Sequence, residues 1–246
     1  MAEGDALVAP ATPGPAETPP VPADGVVVHT DESGRTREET PFAGGVIDGE
    51  AKSYAPGGAL VRVARFKAGQ LDGEAVEHDF VGNVVARFTF AKGRLDGPAT
   101  IYAGGRIMQE MRYAGGVLTG EMRSYDAAGT LAAAANYADG VLDGEQRTLR
   151  PDGSLVRMAQ YRAGRLSGEA IDYWDNGNVR QRALYEDGVQ QGPTRTWLAT
   201  GEPDREIIYE NGQPVANRSL APAIAAAPAP VQTRSPGWID RLLGSG

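Results

Sequence analysis

The sequence predicts an all-β protein: an elongated single-layer antiparallel sheet of stacked β-hairpin repeats, with disordered N- and C-terminal tails. Three observations predict it. A skeleton of glycines and aromatic rings returns every 24 residues over most of the chain. Apolar residues between those glycines recur two or four apart, the period of a strand whose side chains alternate faces. Aromatic residues make up only 7% of the chain and Gly 33 of 246 residues, about twice the usual share of roughly 7%, which leaves too few bulky side chains for a thick core.

Taken from the aromatic residue at its head as position 1, the repeated region divides into FAGGVIDGEAKSYAPGGALVRVAR (42–65), FKAGQLDGEAVEHDFVGNVVARFT (66–89), FAKGRLDGPATIYAGGRIMQEMR (90–112), YAGGVLTGEMRSYDAAGTLAAAAN (113–136), YADGVLDGEQRTLRPDGSLVRMAQ (137–160), YRAGRLSGEAIDYWDNGNVRQRAL (161–184) and YEDGVQQGPTRTWLATGEPDREII (185–208). Partial units flank this array at 26–41 and 209–219. Position 4 is glycine in every unit, from Gly45 to Gly188, and so is position 8, from Gly49 to Gly192. Glycine supplies φ > 0 at no steric cost, so the two glycines, with Asp48, Asp72, Asp96 or Asp143 before the second, are read as one tight turn. A short strand follows and ends at position 13 in Tyr54, His78, Tyr102, Tyr125, Tyr173 or Trp197, with Leu149 the exception. A third glycine, at position 17, marks a second turn. The 23-residue unit lacks its residue between Tyr102 and Gly105, and length changes are tolerated in loops. From position 18 a second strand carries apolar residues such as Leu60, Ala64 and Phe66, with Arg87, Glu110, Arg182 and Glu206 between them on a wetter face. A lone hairpin of this size is marginal in water, so the units must stack to be stable. Pro193, Pro203 and Pro214 cluster at the C-terminal end, where proline blunts a sheet edge and is expected to stop the array.

The aromatic, the xxGxxxG spacing, the following Gly-Glu and the Tyr and turn glycine beyond it, as in YAGGVLTGEMRSY and YRAGRLSGEAIDY, resemble the MORN repeat in its bacterial variant. The resemblance covers residues 42–208. It implies elongated hairpin arrays that act as interaction surfaces or scaffolds, and an antitoxin-like inhibitor that masks a toxin as the alternative. It implies no catalytic residue, because the motif positions are structural.

Composition excludes several chemistries. The absence of cysteine removes disulfides, thiolate nucleophiles and thiolate metal sites. Only His29 and His78 offer imidazole. No nucleophile, metal set or phosphate loop stands out, so the chain reads as no enzyme, with no cofactor and no metal. Residues 1–41 carry a net charge of −6, residues 42–208 carry −3 and residues 209–246 carry +1, which together make −8. Without a basic stripe, nucleic acid and anionic membrane surfaces are disfavoured partners. The start of the chain is acidic where a secretory signal would be basic, and no apolar run approaches the roughly 20 residues of a membrane span, which points to the cytoplasm. The partner is then a protein, and the sheet edges leave self-association open.

The rings at position 13 (Tyr54, His78, Tyr102, Tyr125, Tyr173 and Trp197) have two readings: sheet packing, or a surface groove for a peptide or glycan. Residues 1–25 are Pro, Ala and acid with little to bury, hence disordered, and 220–234 form an Ala/Pro linker. The final segment, 235–246, differs. Ser235 caps, Pro236 suits a first helical turn, and Trp238, Ile239, Leu242 and Leu243 share one helical face. It reads either as a docking peptide for another protein or as a lid on the sheet itself.

Overall fold

The computed structural model describes residues 22–220 and contains strands, turns and no helix among them. Twenty strand segments form one antiparallel sheet in which each strand pairs with its neighbours in sequence, from Gly25–Thr30 at one edge to Gln213–Ser219 at the other. Three segments lie end to end with their successors against a shared neighbour: Val46–Ile47 with Gly49–Tyr54, Val117–Leu118 with Gly120–Tyr125, and Val189–Gln190 with Gly192–Trp197. The sheet is therefore 17 strands across. At about 4.8 Å per strand its contour runs to roughly 77 Å.

Both rims of this meander are written in the repeat. At one rim, positions 3 and 4 form two-residue turns with φ > 0 at both residues, as at Ala68 (48°) and Gly69 (81°). This is the type I′ geometry whose twist matches that of the strands it joins. At the other rim a three-residue loop closes the hairpin: the Asp79 N–H donates to the Asn83 carbonyl and the Gly82 N–H to the Asp79 carbonyl. The 23-residue unit replaces that loop with a two-residue turn at Gly104 (57°) and Gly105 (75°), so its missing residue does fall in a turn.

The second glycine of each pair is not in a turn. Gly73, Gly97, Gly144 and Gly168 lie inside paired strands at φ between 112° and 120°. There the register slips: Ala64 faces Ala75 and Phe66 faces Leu71, so Arg65 stands opposite three residues. Such a bulge bends the strand and leaves no room for a side chain. A Cβ built on Gly73 would come within 3.0 Å of the Arg65 side chain, and one on Gly168 within 3.1 Å of Gln160.

The aspartates before these glycines also serve a different purpose from the local turn expected of them. The Asp48 carboxylate accepts the N–H of Ala68, Asp72 that of Lys92, Asp96 that of Gly115 and Asp143 that of Ala163, each about one unit further on. Beside each clamp, the position-4 glycine N–H donates to a carbonyl of the preceding unit, as Gly93 does to Leu71 and Gly164 to Leu142. The rim is thus a continuous chain of bonds between units. Where Thr119 and Ser167 replace the aspartate, the turns that follow carry Asp139 and Asp187, so two carboxylates never meet.

Two sequence expectations about the ends change. Pro193 and Pro203 do not stop the array: both are paired, opposite Ile208 and Trp197, and the ladder continues to Ser219. Pro98 and Pro193 each follow a glycine at position 8, and proline is tolerated at a bulge. Only Pro214 lies in an edge strand. At the other end the first strand begins at Gly25, and Asp24 and Ala23 accept the N–H groups of Gly44 and Gly45, so the tail boundary moves N-terminally from 25. The remaining tail and linker readings, and the segment 235–246, lie outside the described residues.

Candidate interaction surface

Cross-strand pairing sorts the side chains onto two unlike faces. On the first face a single row runs through Ala51, Ala64, Ala75, Phe88, Ala99 and Met111, and resumes through Ala159, Ala170, Ala183 and Thr194. Among the described residues every buried apolar residue is an alanine, Ile171 excepted; Ala134 and Ile171 belong to the opposite face, and Ala75, Ala159 and Ala183 are each only 1% exposed. Small side chains become inaccessible in an open sheet only when taller rows close over them. Those rows are at hand: position-1 rings such as Phe66 and Phe90, facing Leu71 and Leu95, stand on one side, and a polar row through Ser53, Arg62 and Glu77 on the other. The trough opens to a cavity of about 180 Å³ between Ile47 and Phe66 and the polar side chains of Glu38 and Arg62, over Ala51 and Ala64.

The second face is a lattice of ion pairs. Arg87 meets Glu74 at 2.9 Å, Arg147 bridges Glu121 at 3.0 Å and Glu145 at 3.2 Å, and Arg123 also holds Glu121 at 2.6 Å. The mixed positions read as a wetter face are here, with one difference: Glu206 is 4% exposed, clamped by Arg195 and by Arg218 of the last strand, each at 2.6 Å. The hydrogen bond from Arg195 holds its carboxyl below the usual glutamate range, against the opposing effect of burial, with Arg218 assisting. Exposed pairs of this kind each contribute little, and sharing a carboxylate between two guanidinium groups is what fixes the side chains in place.

The six position-13 rings line up beside this lattice, all half-buried. Each faces an apolar residue across its hairpin: Tyr54 with Leu60, His78 with Val84, Tyr102 with Ile107, Tyr125 with Leu131, Tyr173 with Val179 and Trp197 with Pro203. Successive rings are two strands apart, about 9.6 Å, too far to stack on one another. The Tyr125 hydroxyl donates to Glu110 at 2.6 Å and the Tyr54 hydroxyl to Glu39 at 3.1 Å. The Glu110 bond, then burial, raises the Tyr125 phenol, whereas for Tyr54 burial comes first and Glu39 second.

Sequence reasoning missed the second rim as a source of contacts. Arg35 donates to the Pro56 carbonyl, Arg106 to Ala127, Trp174 to Trp197, and Asn178 to Ala199, each reaching one unit ahead. Polar residues at position 18 (Arg35, Arg106, Asn178) were the available signal. Arg180 lies over the Trp174 ring at 5.6 Å, a cation–π contact at the same rim. The C-terminal candidates Trp238, Ile239, Leu242 and Leu243 fall outside the described residues. Among those residues no group of three acidic or histidine side chains is placed to hold a metal, and no helix is long and apolar enough to cross a membrane.

Comparison with known proteins gives one sequence match. Residues 166–187, most of one repeat period, match the family model "MORN repeat variant". No curated protein matches the sequence. Among solved structures, a GtfA/B complex bound to UDP and GlcNAc aligns at 17% identity and a TM-score of 0.20, over 47% of this chain and 22% of that one. A TcdB2-TccC3-Cdc42 structure aligns at 12% identity and a TM-score of 0.16, over 76% of this chain and 14% of that one. The chain thus spans less than a quarter of the length of either structure, and likenesses this slight carry no argument.

Proposed function

We propose that this chain is a non-enzymatic adaptor for another protein, presenting the face that carries the ion-pair lattice and the position-13 rings, with the segment around Trp238 and Leu242 as a second attachment point. The observation that carries the reading is the density of Tyr, Trp and Arg on that face. Tyr54, Tyr102, Tyr125, Tyr173 and Trp197 are interspersed with Arg87, Arg123, Arg147, Arg182 and Arg195 along the array. Side chains of these three types dominate the energetics of protein interfaces, because they bury large area and retain a polar group. A MORN-variant repeat array fits such a role, since nearly all of its side chains lie on a surface.

Two double variants test it in the full chain: Tyr125→Ala with Trp197→Ala on the sheet, and Trp238→Ala with Leu242→Ala at the C-terminal segment. Each is compared with the unaltered chain for co-purification of the same partner. Loss of the partner in both, with the β-sheet circular dichroism unchanged, is the expected result. Retention in both overturns the reading. A fall in thermal stability for the C-terminal pair with binding intact identifies that segment as a lid on the sheet instead.

A further inference from the structure

The two edges of the sheet are built differently. The C-terminal edge strand, Gln213–Ser219, carries Pro214 and Arg218, the devices by which a free edge is blunted. The N-terminal edge strand, Gly25–Thr30, reads GVVVHT: no proline, no lysine, arginine or acid, and three β-branched valines in a row. Val26 is 61% exposed and Val28 52% exposed. Among the described residues nothing pairs with its outer side, so every second residue presents an unused N–H and C=O there.

Strand direction decides what such an edge accepts. With 17 strands in one antiparallel meander, the first and last strands run the same way. A head-to-tail stack of copies with their faces aligned would therefore pair its edges parallel, breaking the pattern of the whole sheet, and any head-to-tail contact would meet Pro214. A two-fold axis through the N-terminal edge pairs it antiparallel with itself and leaves no further edge of the same kind, so the assembly closes. In a register centred on Val27, Val26 of each copy stands opposite Val28 of the other, a favourable β-branched pair made twice. No like charges meet, because the strand has none.

We propose that the strand Gly25–Thr30 is a self-recognition edge, pairing with the same strand of a second copy to make a two-fold dimer with a continuous sheet of 34 strands. Six residues give a contact only about 20 Å long. A single strand pair of that length buries far less than the roughly 1,200–2,000 Å² of a stable interface, so the dimer is weak and concentration-dependent.

Sedimentation of the full chain across concentrations up to about 1 mM, the range this affinity class requires, reads the equilibrium directly. The unaltered chain is expected to pass from monomer to dimer and no further. The variants V26K/V28K and V26E/V28E, altered only at exposed positions, are expected to be monomers when alone and to form a mixed dimer when combined. Hydrogen exchange on the unaltered chain supplies a reading that needs no variant: amides of 25–30 gain protection as concentration rises. Three results overturn the proposal: a monomer at every concentration, dimerisation that survives in V26K/V28K, or growth beyond the dimer.

Discussion

The two faces of this sheet solve the same problem by opposite means. One face closes taller side chains over a row of alanines, with Ala75 and Ala159 at 1% exposure. The other leaves long charged side chains in water and pairs them, with Arg87 at 44% and Glu74 at 56%. The first is held by volume and tolerates no increase in it. The second is held by charge in a high dielectric, where each pair is worth little and is easily exchanged for another partner. Most of the buried alanines lie on the first side, although Ala134 and Ile171 are buried between the arginines of the second.

The largest expected effect breaks the alanine side. Ala159→Leu adds three heavy atoms where none fits and should cost about 1–3 kcal/mol or more, seen as a lower midpoint in urea. Gly73→Ala comes next: a φ of 120° and a Cβ 3.0 Å from Arg65 put both strain and a clash at one site. It should cost about 1–3 kcal/mol, whereas Gly82→Ala, with a φ of 93° and open space around it, carries the strain alone. Asp72→Ala removes the clamp on the Lys92 N–H and should cost about 0.5–1.5 kcal/mol, raising hydrogen exchange at the 91–94 turn. Smallest of all, Arg147→Ala on the lattice side should change stability by less than about 1 kcal/mol, and by less still in high salt.

Acid sharpens the contrast at one point. The Glu206 carboxyl is held below its ordinary value of 4.5, first by Arg195 and then by Arg218. Its contribution is therefore fully present above that ordinary value and is lost as pH falls through the depressed one. Because Arg218 belongs to the last strand, acid should loosen the pairing of 203–210 with 213–219 before the rest of the sheet. Glu206→Gln should flatten that acid limb, measured as amide exchange of 213–219 against pH.

The hairpin repeat, its strands and the loop with the missing residue were all legible, because turn glycines and period-two apolar residues are local signals. The function of the second glycine was not. Gly69 and Gly73 look alike in sequence, yet one makes a turn and the other a bulge, and the approach of Arg65 from the preceding strand tells them apart. Asp72 misled for the same reason: an Asp-Gly pair reads as a turn, but its carboxylate is used 20 residues away. Proline misled at Pro193, where the preceding bulge makes room for it. The rings at position 13 and the wetter face of Arg87 and Arg182 were visible from spacing, but Arg123, Arg147 and Arg195 were not, because pairing across strands assembles that row from positions 11 and 22 of alternate strands.

Deleting one whole repeat tests the central claim most directly, namely that the protein is one open sheet stabilised unit by unit. Removal of 137–160 excises one full period and joins Asn136 to Tyr161 with strand direction and face in register, losing the Asp143 clamp on the Ala163 N–H. The account expects a folded β protein that unfolds cooperatively, with a denaturant m-value smaller only in proportion to the surface lost. Removal of 137–148, half a period, should by contrast unfold it, because strand direction and face no longer match. Loss of folding in the whole-repeat deletion would contradict the account and show that the units share a single core.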